Sequence, residues 1–333
     1  MNIGLRALIE AGGDGRRHVV QLQFDEGPSS PSHDYRPWIN ENSRELEALA
    51  TEQTVTLESR QVQMFAVDGR RIGSRSAANI FRASEELTAF TDVILDVSSL
   101  PRSIFYPLLA KLLHLQEGVA DIAQRPNLFA FAAENAALDS RIVDEGVDEA
   151  ADYVHLFRSG SERMSTSGEP TVWIPILGEG QAVQLERLYE LVNPNEICPL
   201  LPSPSLNPRR GDELVVEYRE LLFARLRVEP RNILYASERN PFEVYRQIRR
   251  TILHYQRALG PLGGCQPVVS SVSTKLLSIG GLLAAYELKQ AKVHVGIAHI
   301  ESQGYRVDDE ATARSLASQS TLFGLWLAGE SYE

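Results

Sequence analysis

The sequence predicts an α/β protein of two tandem Rossmann-like units, each mostly parallel and doubly wound, related by internal duplication. Three observations carry this. Short apolar runs alternate with helix-period segments through the second half, the first half repeats the rhythm, and landmark residues recur between the halves at a nearly constant offset. In this reading residues 1–158 form the first unit, 159–170 a linker and 171–333 the second unit.

The second half reads most clearly. Val172–Leu177 is an apolar run ending at Gly178-Glu179-Gly180, and Val183, Leu185, Leu188, Leu191 and Val192 follow at helical spacing. Asn193-Pro194-Asn195 stops that helix, because proline cannot continue it. Ile197–Leu201 is the next strand, and Asp212 stands as an N-cap for a helix carrying Leu214, Tyr218, Leu221, Leu222 and Leu226. A third strand, Asn232–Ser237, leads to Asn240-Pro241-Phe242-Glu243, with a cap, a proline at the first helical position and a capping-box glutamate. Pro267–Ser271 is a fourth strand, followed by Val272-Ser273-Thr274-Lys275 and a helix over Leu276–Lys289. Val293–Ala298 is a fifth. Strands alternating with helices of this length indicate a parallel sheet covered on both faces. Ala311–Leu327 reads as a closing helix.

The first half follows the same plan. Pro31-Ser32 matches Pro204-Ser205, and Arg102 matches Lys275, both at an offset of 173. Met64–Asp68 matches Leu234–Glu238, while Glu134 and Arg141 match Glu301 and Arg306 at slightly smaller offsets. No counterpart of the strand and helix at 172–192 is evident, so the first unit reads as incomplete. Pro107 is expected to kink or shorten the helix that follows Arg102. The stretch between the halves is acidic, then rich in serine and glycine, as in a flexible connector.

Composition narrows the function classes. At 333 residues, with 43% hydrophobic and 23% charged side chains, the chain suits two globular domains. No apolar stretch suffices for a membrane span, and Met1–Gly13 lacks the layout of a signal peptide. Two cysteines, Cys198 and Cys265, exclude a disulfide framework and point to a reducing cytoplasm. The net charge of −11 argues against non-specific nucleic-acid binding, although a local basic cluster can still hold a small anion.

In open parallel sheets ligands bind beyond the carboxyl ends of the strands, where strand order reverses. That rule selects Ser271, Ser273, Thr274 and Lys275, whose hydroxyls, amides and ammonium suit a phosphate; ordinary capping by Ser273 or Thr274 is the alternative. The equivalent turn offers Ser98, Ser99 and Arg102, with Asp96 as a ribose ligand or general base. Glu238 and Arg239 end the third strand, within reach of a base or ribose. Gly178 belongs to a partial dinucleotide fingerprint, with Val183 where the third glycine should stand. The seven histidines lack metal-ligand spacing, and no hydrolase elbow or P-loop occurs. No cofactor and no catalytic residue is therefore assigned.

The segment Val268–Glu287 resembles the last conserved strand–turn–helix of CRISPR-associated Rossmann-fold (CARF) domains. There a Gly-Thr-Lys or Ser-Thr-Lys turn precedes an alanine-rich helix; here the turn is Ser273-Thr274-Lys275 and the helix contains Leu282-Leu283-Ala284-Ala285-Tyr286-Glu287. The doubled layout is similar to the related SAVED domains. The resemblance implies a sensor of a cyclic-nucleotide signal in prokaryotic antiviral defence, its halves packed as a pseudo-dimer. Two departures stand out: Leu100-Pro101-Arg102 replaces the lysine turn in the first half, and no effector domain is evident. A separate effector protein or other subunits are then the expected partners. The rival readings are a cyclic-nucleotide ring-opening enzyme, with Asp96 or Glu238 as base, and a non-catalytic scaffold.

Overall fold

The computed structural model describes residues 2–12, 15–27, 30, 34–135, 138, 141–144, 146, 151–158, 168–302, 304–307 and 309–330. Pro31, Ser32 and linker residues 159–167 lie outside the described residues. From its start the chain forms α1 (Asn2–Ala11), β1 (His18–Phe24), α2 (Arg36–Glu52), β2 (Thr56–Val62), β3 (Asp92–Asp96), α3 (Arg102–Glu117), β4 (Asn127–Glu134) and β5 (Ile142–Asp144). It continues with β6 (Asp152–Tyr153), β7 (Thr171–Ile176), α4 (Ala182–Val192), β8 (Glu196–Ile197), β9 (Leu200–Pro202), α5 (Arg210–Glu217), β10 (Leu234–Ala236) and α6 (Pro241–Ala258). The remainder is β11 (Gln266–Ser271), α7 (Lys275–Gln290), β12 (Gly296–His299), β13 (Tyr305–Val307), α8 (Glu310–Ala317) and β14 (Thr321–Ala328).

The chain divides into two compact units that are not its contiguous halves. One comprises Met1–Asp96, Lys111–Gly146 and Ser302–Glu333; the other comprises Val97–Ala110 and Val147–Glu301. The chain passes between the units at 96/97, 110/111, 146/147 and 301/302, where the sequence reading placed a single linker at 159–170. Helix α3 crosses the division at Ala110 and is continuous through Pro107, so the proline does not shorten it.

The second unit is a Rossmann-like α/β sheet of seven strands in the order β10-β9-β7-β11-β12-β6, with β8 beside β7. All pairings are parallel except that of β6 with β12. β7 and β11 are buried at every residue; β7 reads accordingly as an unbroken apolar-rich run, while β11 buries the polar Gln266, Ser270 and Ser271 beside its apolar centre. Both faces are covered. Trp173, Leu177 and Val268 pack with Leu185 and Leu188 of α4, Leu214 of α5 and Tyr218. On the opposite face Ile176 and Val269 meet Gly281 of α7. A Cβ on Gly280 would lie 2.3 Å from the Pro241 carbonyl oxygen, so glycine lets α7 and α6 approach closely there. Asn240 caps α6 by accepting from the Phe242 amide at 3.1 Å, and Glu243 accepts from the Ser237 amide at 2.9 Å.

The first unit holds a parallel pair, β1 with β2, and a separate three-stranded sheet in the order β14-β4-β3. In that sheet β3 and β4 are parallel and β14 is antiparallel. β13 pairs antiparallel with β5. Ile9, Leu49, Ala50 and Val55 form a small core against Val19 and Leu57.

Several expected elements change. Ala311–Leu327 is not one helix: α8 ends at Ala317, and Thr321–Ala328 is a strand rich in aromatic and aliphatic residues that pairs with β4. The helix expected from Asp212 to Leu226 starts at Arg210, with Asp212 in its first turn, and gives way to a π-helical turn over Glu220–Arg225. Met64–Asp68 is not a strand. It closes a tight turn in which Phe65 bridges Arg71 and the Gly69 amide donates to the Ala66 carbonyl at 2.9 Å, while the strand is β2, upstream. A helix, α1, precedes β1.

Candidate functional site

In the second unit the chain enters the sheet through the edge strand β6, takes the sheet centre with β7 and moves outward through β9 to β10. It then returns to the other side of β7 for β11 and β12. Strand order reverses between β7 and β11, so their carboxyl ends frame the crevice where such sheets hold ligands. The turn after β7 is Leu177-Gly178-Glu179, and the turn after β11 is Val272-Ser273-Thr274.

These turns touch. A Cβ on Gly178 would stand 2.5 Å from the Val272 carbonyl oxygen and 2.8 Å from Ser273 Cα, so no side chain fits at this position. Gly178 serves close packing. The amides that a dinucleotide fingerprint would offer to phosphate are engaged: the Gly180 amide donates to Glu217 Oε1 at 2.7 Å and the Gln181 amide to the Tyr218 hydroxyl at 2.8 Å. The Tyr218 hydroxyl in turn donates to the Gly178 carbonyl at 2.5 Å. A carboxylate of the chain itself thus fills the anion position before α4, and burial pushes the Tyr218 phenol up.

The start of α7 is built differently. Thr274 is its N-cap, and Thr274 Oγ1 accepts from the Leu277 amide at 3.4 Å. Ser278, one turn later, donates through Oγ to the Thr274 carbonyl at 2.7 Å and lies 2.8 Å from Ser271 Oγ. Ser273 is 7% exposed, and its Oγ has no hydrogen-bond partner. A buried hydroxyl left so costs about 1–3 kcal/mol.

Val97–Ala110 packs within this unit and brings Ser98, Ser99 and Arg102 to the same place. Arg102 Nη2 donates to the Ser273 carbonyl, and Arg102 Nε reaches Ser278 Oγ at 3.2 Å. Reciprocally, Lys275 Nζ donates to the Ser98 carbonyl. Ser99 is exposed on the same turn. Tyr106, one turn into α3 from Arg102, is buried; burial pushes its phenol up, against the Arg102 charge and hydrogen bonds with Ser278 and Ser271. Ser103, also buried, has an Oγ without a partner.

Gly178, Ser271, Ser273, Thr274, Lys275, Ser98 and Arg102 are therefore together, with Ser99 at the rim. Glu238 and Arg239 are not part of this cluster. They end β10, three strand spacings from β11, or about 14 Å. Glu238 accepts from the Leu206 amide at 2.9 Å and pairs with Arg210 at 3.2 Å; Arg239 is exposed. Arg210 also pairs with Glu179 at 2.5 Å and so ties the turn after β7 to the turn after β10. Burial pushes the Glu179 carboxyl up, but the hydrogen bond and charge of Arg210 outweigh it and hold the carboxyl below its ordinary range. Sequence reasoning missed Tyr106, Ser278, Arg210 and Glu217. The first two had a readable signal, since Arg102/Tyr106 and Thr274/Ser278 are each four apart on one helix face.

Among the described residues no three His, Cys, Asp or Glu side chains group as metal ligands, and no helix is long and apolar enough to cross a membrane. Burial pushes the thiols of Cys198 and Cys265 up to about 11, which leaves them protonated at neutral pH. A depression of about 380 Å³ lined by Glu196, Arg231, Asn232, His254 and Tyr255 lies at the opposite, amino end of β8 and β10.

No family model matches the chain, and no curated protein matches it. Among solved structures it is similar to a functionally unknown protein from Pseudomonas aeruginosa PAO1, at 11% identity and a TM-score of 0.23, over 96% of this chain and 93% of that one. A periplasmic ribose ABC transporter from Conexibacter woesei DSM 14684 shares 11% identity over 92% of this chain and 97% of its own, with a TM-score of 0.21. Neither likeness bears on fold or function at these scores.

Proposed function

We propose that the chain is a ligand-sensing or regulatory subunit that binds a nucleotide-type anion at the β7/β11 switch point and relays binding to a separate effector protein. One observation carries the reading: two cations, Arg102 and Lys275, converge on the switch point beside the orphaned hydroxyl of Ser273. A phosphate is a stronger acceptor for such cations than a carbonyl, because both partners are then charged. The resemblance of Val268–Glu287 to CARF and SAVED domains adds the finer terms of a cyclic nucleotide and a prokaryotic antiviral system; the two cysteines add a cytoplasmic setting, and the recurring landmarks an α/β unit present twice by duplication.

The scaffold reading keeps one observation in its favour. Both cations are already engaged with carbonyl oxygens, as structural ties would be. The ring-opening enzyme has less support, since Glu238, one of its two candidate bases, is held by Arg210 and the Leu206 amide. Calorimetry with cyclic mono-, di- and oligonucleotides at two salt concentrations decides between sensor and scaffold. The sensor predicts binding that weakens with salt. Silence across the panel favours the scaffold.

A further inference from the structure

We infer that the reciprocal tie between the turns Val97–Arg102 and Ser271–Lys275 is a latch that an anion at the switch point must open. The inference rests on the anion-binding reading above and specifies how binding is converted into movement.

The tie is built crosswise. Arg102, at the start of α3, donates to the carbonyl of Ser273 before α7, while Lys275, at the start of α7, donates to the carbonyl of Ser98 before α3. Each helix start thus holds the turn that precedes the other. The accepting carbonyl oxygens bring partial negative charge to the place an anion would take. An anion received by Arg102, Lys275 and the Ser273 hydroxyl would face both oxygens at close range. Like charges cannot share that space without cost, and charge-assisted bonds to the anion are stronger than bonds to a neutral carbonyl. The cations therefore exchange carbonyl for anion, and the crosswise tie is lost. Ser278 and Ser271 stay bonded to each other and Ser278 to Thr274, so α7 keeps its start. Buried Val97 and Leu100 keep the other turn packed, so what is released is its polar tie to α7. Arg102 also loses its hold on Ser278, which passes the change to Tyr106 in the first turns of α3.

The test is amide hydrogen exchange on the full chain, with and without saturating pyrophosphate and with any cyclic nucleotide found to bind by calorimetry. Binding should speed exchange in peptides spanning 97–106 by roughly 2- to 12-fold, the loss of about one hydrogen bond per tie. Peptides from the α6–α7 contact, 244–252, should not change. Arg102→Gln should show the fast exchange without any anion, and Lys275→Met, which leaves the Tyr106 cluster intact, is the second variant should the first fold poorly. Binding with unchanged or slowed exchange in 97–106 would overturn the latch while the site stands. If neither pyrophosphate nor any cyclic nucleotide binds, the site reading fails and the latch with it.

Discussion

The two units handle the centre of the sheet in opposite ways. In the second unit β7 pairs with β11 over six residues on one side and with β8 and β9 on the other, and every residue of β7 is buried. In the first unit the parallel pair β1–β2 and the sheet β14-β4-β3 are separate, and every residue of β1 is partly exposed. Among the described residues no strand joins them. The comparison teaches what a switch point requires. A crevice between diverging strands exists only where a central strand holds both directions of the sheet together, and in this chain β7 does so.

The largest effect should come from that strand. Trp173→Ala removes a fully buried ring and its bond from Nε1 to Ser270 Oγ at 2.8 Å, and should cost about 3–5 kcal/mol in urea denaturation. Val19→Ala in β1 should cost about 1 kcal/mol. Equal costs would erase the contrast between a joined and a divided sheet.

Ligand affinity comes next. Lys275→Ala should weaken nucleotide binding roughly 10- to 150-fold in calorimetry, the loss of about 1.5–3 kcal/mol for a charge-assisted bond. Its effect on stability should be smaller. The lost tie to Ser98 is opposed by relief of a cation at a helix start, so the melting free energy should change by less than about 1 kcal/mol. Arg70→Ala, on the exposed turn of the first unit, should leave binding unchanged.

Gly178→Ala sets a new Cβ against backbone atoms of Val272 and Ser273 and should cost about 1–3 kcal/mol. Gly324→Ala in β14 meets a Phe131 ring carbon at 3.2 Å, a neighbour that can yield, and should stay within about 0.5 kcal/mol. Thermal melts of the two variants compare the rigidity of the switch point with that of an edge strand.

The smallest effect is electrostatic. In the folded chain Glu179 lies below its ordinary value of 4.5, burial being outweighed by Arg210. A depressed carboxyl contributes stability that is complete above the unfolded value and is lost as pH falls through the folded one. Glu58, lowered first by its hydrogen bond with Arg60, has the same sign in the first unit. Glu86 follows, lowered against burial by the Arg82 amide and Arg60. Both units should therefore loosen below pH 4.5, and Arg210→Met should remove the acid dependence of the second alone. Trp173 fluorescence, with Trp38 and Trp326 replaced by phenylalanine, reads that difference.

What the sequence revealed follows the same division. β7 and α7 were legible because a strand buried on both faces and a helix with ten buried residues leave long apolar runs, and β11 because Pro267–Val269 runs into a serine-rich turn before α7. The segment after Ala317 was misread because Leu322, Leu325 and Leu327 fit a helical period as well as a strand, and only pairing with β4 decides. At the site, the Ser-Ser-Val-Ser-Thr-Lys turn was visible as a cluster of donors. Its acceptors were not, since Arg102 meets Ser273 across 171 positions and no local pattern encodes such a pairing.

The edge strand β14 has a consequence for biosynthesis. Its partner β4 leaves the ribosome long before it does, since Glu134 pairs with Thr321, 187 residues later. At about 5–20 residues per second that is a wait of roughly 10–40 s, during which β4 presents a bare edge. Until β14 arrives, such an unpaired edge is a template for pairing with another chain.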